Sequence, residues 1–130
     1  MKTFKWLSIC FTFLTFFSCT SDDDASSQQQ DLQDLAVLRM EIENLATSVV
    51  CEDSTSWTYT DIGGKACGGP TGYIAYPISI NVDEFLKKVE EFNIAEDNFN
   101  KKWNIRSDCS VPPQPVGVNC ENGVAVLVFP

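Results

Sequence analysis

Cysteine is the residue type with the most chemical potential in this chain, and its spacing narrows what that chemistry is. Six cysteines are present. Cys10 and Cys19 fall within or just after an N-terminal apolar run, while Cys51, Cys67, Cys109 and Cys120 are separated by 16, 42 and 11 residues. An even number of cysteines in a small exported domain predicts disulfides. Structural zinc is disfavoured, because there is no Cys-x-x-Cys pair and the chain contains no histidine. Three pairings are open to four cysteines. The nested one, Cys51 with Cys120 and Cys67 with Cys109, is expected because its inner bond would tie together both ends of a helical region. Sequential pairing, Cys51 with Cys67 and Cys109 with Cys120, is the alternative.

Other chemistry is sparse. The lack of histidine removes the commonest general acid-base residue and metal ligand. Carboxylate pairs such as Asp53 with Asp61, or Asp97 with Asp108, could act as a hydrolase's acid and base, but any acidic chain supplies such pairs by chance. The expectation is therefore no enzyme, no metal site and no cofactor beyond a covalent lipid. The most unusual local stretch is Gly63-Gly64-Lys65-Ala66-Cys67-Gly68-Gly69-Pro70, with four glycines and a proline in eight residues. Gly64, Lys65, Ala66, Gly68 and Gly69 form a candidate binding loop, on which Lys65 could enter a trypsin-like protease as a rigid, poor substrate. The competing reading is that the glycines let the backbone pass close to a disulfide or a strand. Trp57, Tyr59, Tyr73, Tyr76 and Trp103 offer a second candidate, an aromatic platform for a protein or glycan partner, although a small domain buries most of its aromatics.

The N-terminal segment concerns location. Lys2 and Lys5 precede a 12-residue apolar run, Trp6 to Phe17, interrupted by Ser8, Thr12 and Thr15. It is short of the roughly 20 residues a spanning helix needs and has the layout of a signal peptide over residues 1–18. Phe16-Phe17-Ser18-Cys19 resembles the bacterial lipobox, with Phe16 where an aliphatic residue is usual. That resemblance implies lipidation of Cys19 and attachment to a membrane. Ser21-Asp22-Asp23-Asp24 resembles the acidic export signal of Bacteroidota surface lipoproteins. It implies an outer-membrane location facing the exterior; a periplasm-facing domain with a plain acidic spacer is the alternative. Loss of Lys2 and Lys5 with the signal peptide leaves 7 basic against 18 acidic residues, a net charge of −11. Nucleic acid is excluded as a natural partner on that balance.

Residues 19–30 carry the lipid-bearing cysteine and a polar, acidic run that reads as a flexible tether. One domain is expected over residues 31–130. Leu35, Leu38, Ile42, Leu45 and Val49 recur at helical spacing, with Leu32 one turn earlier, predicting a helix over about residues 31–50. Its apolar stripe suits packing on its own domain, or a coiled-coil arm. Residues 55–62 and 73–80 read as strands, the second at a sheet edge because of Pro77. Asn81 and Glu84 mark a helix start, with Val82, Phe85, Leu86, Val89 and Phe92 as its buried stripe to about Asn93. A further short helix is expected from Ala95 to Asn104. Asn122-Gly123 between two β-rich runs predicts a two-residue hairpin, with Cys120 opposite Ala125, Val118 opposite Leu127 and Val116 opposite Phe129. The expected fold is α+β: an antiparallel sheet of three or four strands, a long N-terminal helix, two shorter helices and two disulfides.

The stretch from Lys65 to Cys120, with its Cys-Gly-Gly-Pro, Tyr-x-x-Tyr and Ser107-Asp108-Cys109, resembles small exported disulfide domains of bacteria. The resemblance implies an exported, stapled domain and brings no activity with it. The reading reached is a lipid-anchored envelope or cell-surface protein that works by binding, with protease inhibition through Lys65 as the alternative.

Overall fold

The computed structural model of the protein describes residues 22–130. The expected signal peptide, the expected lipidation site Cys19 and Ser21 lie outside them. In chain order the elements are helix α1 (Asp22–Ala46), a 3₁₀ turn (Ser54–Ser56), strands β1 (Trp57–Ile62) and β2 (Gly72–Pro77), helix α2 (Val82–Lys102), and strands β3 (Gly117–Glu121) and β4 (Val124–Val128). The fold is α+β with two disulfides, Cys51–Cys120 and Cys67–Cys109. This is the nested arrangement.

α1 begins nine residues before the expected start at Asp31, so Asp22 to Gln30, read as a flexible tether, is helical. Composition pointed the other way because this stretch has almost nothing to bury. Helix propagation needs no burial, however, once a packed segment downstream has supplied the nucleus. From Asp31 onward the apolar stripe packs on its own domain: Ile42 is fully buried and Ala46 nearly so, with Leu35, Leu38 and Leu45 against the same core. Leu32 stays exposed.

α2 starts where expected. Asn81 Oδ1 accepts from the Glu84 backbone N–H at 3.3 Å, and its Nδ2 donates to Glu84 Oε2 at the same distance. Phe85, Val89 and Phe92 are buried, while Leu86 is exposed. The two short helices expected here are one continuous helix to Lys102. No glycine or proline interrupts Asn93-Ile94-Ala95, and the polar Asn93 turns its side chain to a loop instead of breaking the ladder. At the far end Asn104 takes a left-handed backbone, φ 49°, and the Ile105 N–H closes onto the Asn100 carbonyl at 2.9 Å, the usual use of asparagine after a helix.

The helices run antiparallel. Glu41 of α1 pairs with Lys88 of α2 at 2.8 Å, and Asp31 accepts from both Lys102 Nζ (2.6 Å) and Trp103 Nε1 (2.8 Å). These bonds, the Lys102 one foremost, hold the Asp31 carboxyl below its ordinary range. Beneath the helices lies the β1–β2 hairpin, paired Trp57 to Pro77 through Ile62 to Gly72. Ile42, Ile62, Tyr76, Phe85, Val89 and Phe92 share one core, in which the Tyr76 and Phe85 rings are 4.6 Å apart.

The expected single sheet of three or four strands is replaced by two separate two-stranded sheets, β1–β2 and β3–β4. The Asn122-Gly123 turn fixes the β3–β4 register; no feature of either strand pattern specifies a ladder between hairpins. β3 and β4 instead lie against β1 and β2, attached by Cys51–Cys120. Within β3–β4 the register is as expected, with Cys120 opposite Ala125 and Val118 opposite Leu127. Asn122 and Gly123 both have positive φ, 51° and 80°, as the turn requires.

Candidate binding site

Three stretches far apart in sequence close around an apolar groove of about 600 Å³. α1 contributes Arg39, Glu43 and Ala46, and the chain just beyond it adds Val49 and Val50. Trp57, Tyr73 and Ile74 come from the first hairpin, and Ala125, Leu127 and Phe129 from the second hairpin and its end. The β3–β4 hairpin is tied to the rest of the chain by few polar and covalent bonds. The Cys51 N–H donates to the Gly123 carbonyl at 2.9 Å, Cys51 and Cys120 are bonded with Cα atoms 5.3 Å apart, and Tyr59 Oη donates to the Pro115 carbonyl at 2.6 Å. Beyond those ties the hairpin leaves Val116, Val124, Val128 and Phe129 exposed.

The charges lining the groove neutralise each other. Arg39 Nε donates to Glu43 Oε1 at 2.7 Å, and the Arg39 guanidinium sits 5.7 Å from the centre of the Phe92 ring. A cavity of this volume, mostly apolar and with few polar groups, has the character of a ligand site. Beyond the Arg39–Glu43 pair, its polar side chains are Thr47, Trp57 and Tyr73.

Of the five aromatics that sequence offered as a platform, Trp57 and Tyr73 line the groove. Tyr59 meets the Tyr73 ring edge-on at 6.0 Å and spends its hydroxyl on Pro115. Tyr76 is buried in the core, which pushes its phenol pKa up, and Trp103 is bonded to Asp31. The platform as a set of five is therefore not assembled.

The Gly63–Pro70 loop has a different character. Its base docks on α2 through three polar side chains: Asn93 Oδ1 accepts from the Gly63 N–H (2.6 Å), Glu96 Oε2 from the Gly64 N–H (2.7 Å), and Asn100 Nδ2 donates to the Gly64 carbonyl (2.7 Å). Sequence reasoning missed these three residues. Their spacing of three and four continues the Phe85–Val89–Phe92 stripe along the same face of α2, and the switch of that stripe from apolar to polar residues was the available signal. Gly63 needs its positive φ of 85°, and a β-carbon there would lie 1.7 Å from Thr71 Oγ1.

Lys65 does not project from this loop as a protease-binding lysine would. Its side chain is 15 % exposed, and its ammonium donates to Asp108 Oδ1 (3.0 Å), Ser110 Oγ (3.0 Å) and the Ser110 carbonyl. Those acceptors use its three N–H donors. Hydrogen bonds from Ser110 first, and from Lys65 second, hold the Asp108 carboxyl down at about 2. Ala66, Cys67, Gly68 and Gly69 form the exposed tip.

The carboxylates considered as acid-base partners are engaged with their own neighbours: Asp53 with Thr55, Asp61 with Thr60, Asp97 with Lys101, and Asp108 as above. The Thr55 hydrogen bonds keep the Asp53 pKa below the ordinary range, as Ser110 and Lys65 do for Asp108. A general acid working near neutrality requires a raised pKa. Among the described residues no group of three or more His, Cys, Asp or Glu is placed to hold a metal ion, and no helix is long and apolar enough to cross a membrane. No known protein family, curated protein or solved structure matches the chain.

Proposed function

We propose that the chain is a lipid-anchored envelope protein, tethered through Cys19 and displayed on the outer face of the outer membrane, whose domain binds a protein partner. The partner inserts uncharged, apolar side chains into the groove between α1, β2 and β4. The observation that carries the binding reading is the groove itself: about 600 Å³ of largely apolar space whose two lining charges are already paired with each other. A charged ligand group would have to disrupt Arg39–Glu43. The location rests on the lipobox-like Phe16–Cys19 and on the acidic Ser21–Asp24 run.

The binding half is tested with an uncharged naphthylamine dye as a surrogate for apolar side chains. One dye per chain should bind and accept excitation energy from Trp57. Leu127→Arg, which places an unpaired cation in the groove, should abolish binding while leaving the far-UV circular dichroism intact. Equal dye binding by the variant would refute the groove. The location half is tested separately: a palmitate analogue should label the wild type and not Cys19→Ala, and external protease should remove the domain from intact cells. Survival of the domain until the cells are lysed would move it to the periplasm.

A further inference from the structure

The two disulfides differ in how a thiol reaches them. Cys51 is only 3 % exposed and lies beside the β3–β4 turn, with its N–H on the Gly123 carbonyl. Cys67 and Cys109 are both exposed. Approach to Cys67 is open on one flank, since nothing lies within 4 Å of where a β-carbon would stand on Gly68 or Gly69. Cys109 has a left-handed backbone, φ 53°, which residues other than glycine keep only where their surroundings impose it. Its surroundings here are the disulfide, the Ser107 hydroxyl accepting from its N–H at 3.3 Å, and the Asp108–Ser110 bonds on either side. Opening the disulfide removes one of these constraints.

We propose that Cys67–Cys109 is a thiol–disulfide exchange site, opened by a dithiol while Cys51–Cys120 stays closed. One thiolate of the dithiol attacks Sγ of Cys67; the Cys67–Cys109 bond breaks, and Cys109 leaves as a thiolate that takes a proton from solvent. The reagent's second thiol, having lost its proton to solvent, attacks the reagent sulfur of the mixed disulfide, and Cys67 leaves as the second thiolate and is protonated in turn. The dithiol is oxidised to its disulfide, two electrons pass to the protein, and two cysteine thiols result.

The consequence is local. Residues 104–116 contain no helix or strand, and this bond joins them to the Gly63–Pro70 loop. Past that point the chain is fixed again by Tyr59 on Pro115 and by Cys51–Cys120. Reduction therefore frees the loop tip, leaves Lys65 on Asp108 and Ser110 as the tie between the loop and the irregular segment, and leaves the hairpin seated. The inference rests on neither the lipid anchor nor the groove.

The test uses the folded, oxidised full chain without denaturant. Limiting dithiothreitol is added, samples are alkylated with iodoacetamide at intervals, and the cysteines are located by peptide mapping. Cys67 and Cys109 should be alkylated together, at least tenfold sooner than Cys51 and Cys120. Simultaneous alkylation of all four, or earlier alkylation of Cys51 and Cys120, overturns the proposal. With a monothiol in place of the dithiol, the trapped adduct should sit on Cys67; an adduct chiefly on Cys109 overturns the direction of attack.

Discussion

The β3–β4 hairpin and the Gly63–Pro70 loop are both fastened by a disulfide, yet their surroundings end up opposite in character. Around the loop, polar groups are answered from within: Asn93, Glu96 and Asn100 meet its backbone, and Lys65 is met by Asp108 and Ser110. Around the hairpin, few polar bonds are made and apolar side chains are left lining an open groove. The difference teaches where a partner can add something. A region whose hydrogen bonds are already made inside the chain has little left to offer a ligand, whereas uncovered apolar surface still gains free energy on contact. Glycine content drew attention to the loop; the uncovered apolar surface lies at the hairpin.

The strongest way to break this comparison is to remove the staples one at a time. Cys51→Ser/Cys120→Ser removes a bond closing a separation of 69 residues, and Cys67→Ser/Cys109→Ser one closing 42. Chain entropy alone assigns each about 4 kcal/mol, and the ratio of loop lengths separates them by only about 0.4 kcal/mol. Stability is thus a poor discriminator. Function is the better one: dye binding should vanish with the first pair and persist with the second, because only the first seats the groove's outer wall. Chemical denaturation and dye titration on both variants check this. Loss of dye binding in both would mean that the groove depends on the whole chain rather than on the hairpin's seat.

What the sequence could disclose follows the same division. Turns and caps are local, and they were legible: Asn122-Gly123 set the register that places Cys120 opposite Ala125, and Asn81 started α2. Helix extent was less so. The acidic start of α1 lacks apolar residues, so its helicity depends on packing further down, and the polar Asn93, where α2 was expected to end, has its side-chain partner in a distant loop. The groove left no trace in any window, because Glu43, Tyr73 and Leu127 meet only after the hairpins have chosen to stack rather than join edges. The fate of Lys65 was hidden for the same reason, since its acceptors lie more than forty residues away.

A smaller effect sharpens the polar half of the comparison. Asn93→Ala deprives the Gly63 N–H of its acceptor in a place where Gly63 is buried. An unsatisfied buried donor costs about 1–3 kcal/mol, and neighbouring Glu96 is already engaged with Gly64. The melting temperature should fall and hydrogen exchange at Gly63 should quicken, with dye binding unchanged at the working temperature. Asn93→Asp, which keeps an acceptor at the same place, should recover most of the loss. Equal destabilisation by both variants would show that the Asn93 amide matters through its helix packing and not through the loop.

The smallest effect is a pH dependence confined to the loop. Asp108 is held at about 2 against an ordinary value of 3.8. A carboxyl whose folded pKa is depressed binds its proton more readily in the unfolded chain, so its stabilising contribution is complete above about pH 4 and is lost as pH falls through about 2. Asp108 is exposed, and solvent screening keeps the contribution small. The wild type should therefore lose slightly more stability than Asp108→Asn between pH 4 and pH 2, and the two curves should run parallel above pH 5. Dye binding should be the same for wild type and Asp108→Asn at each pH over that range, since neither Asp108 nor Lys65 lines the groove. A groove that weakened in step with Asp108 protonation would tie the two regions together, and the molecule would then have to be treated as one coupled unit rather than as a sealed polar loop beside an open apolar wall.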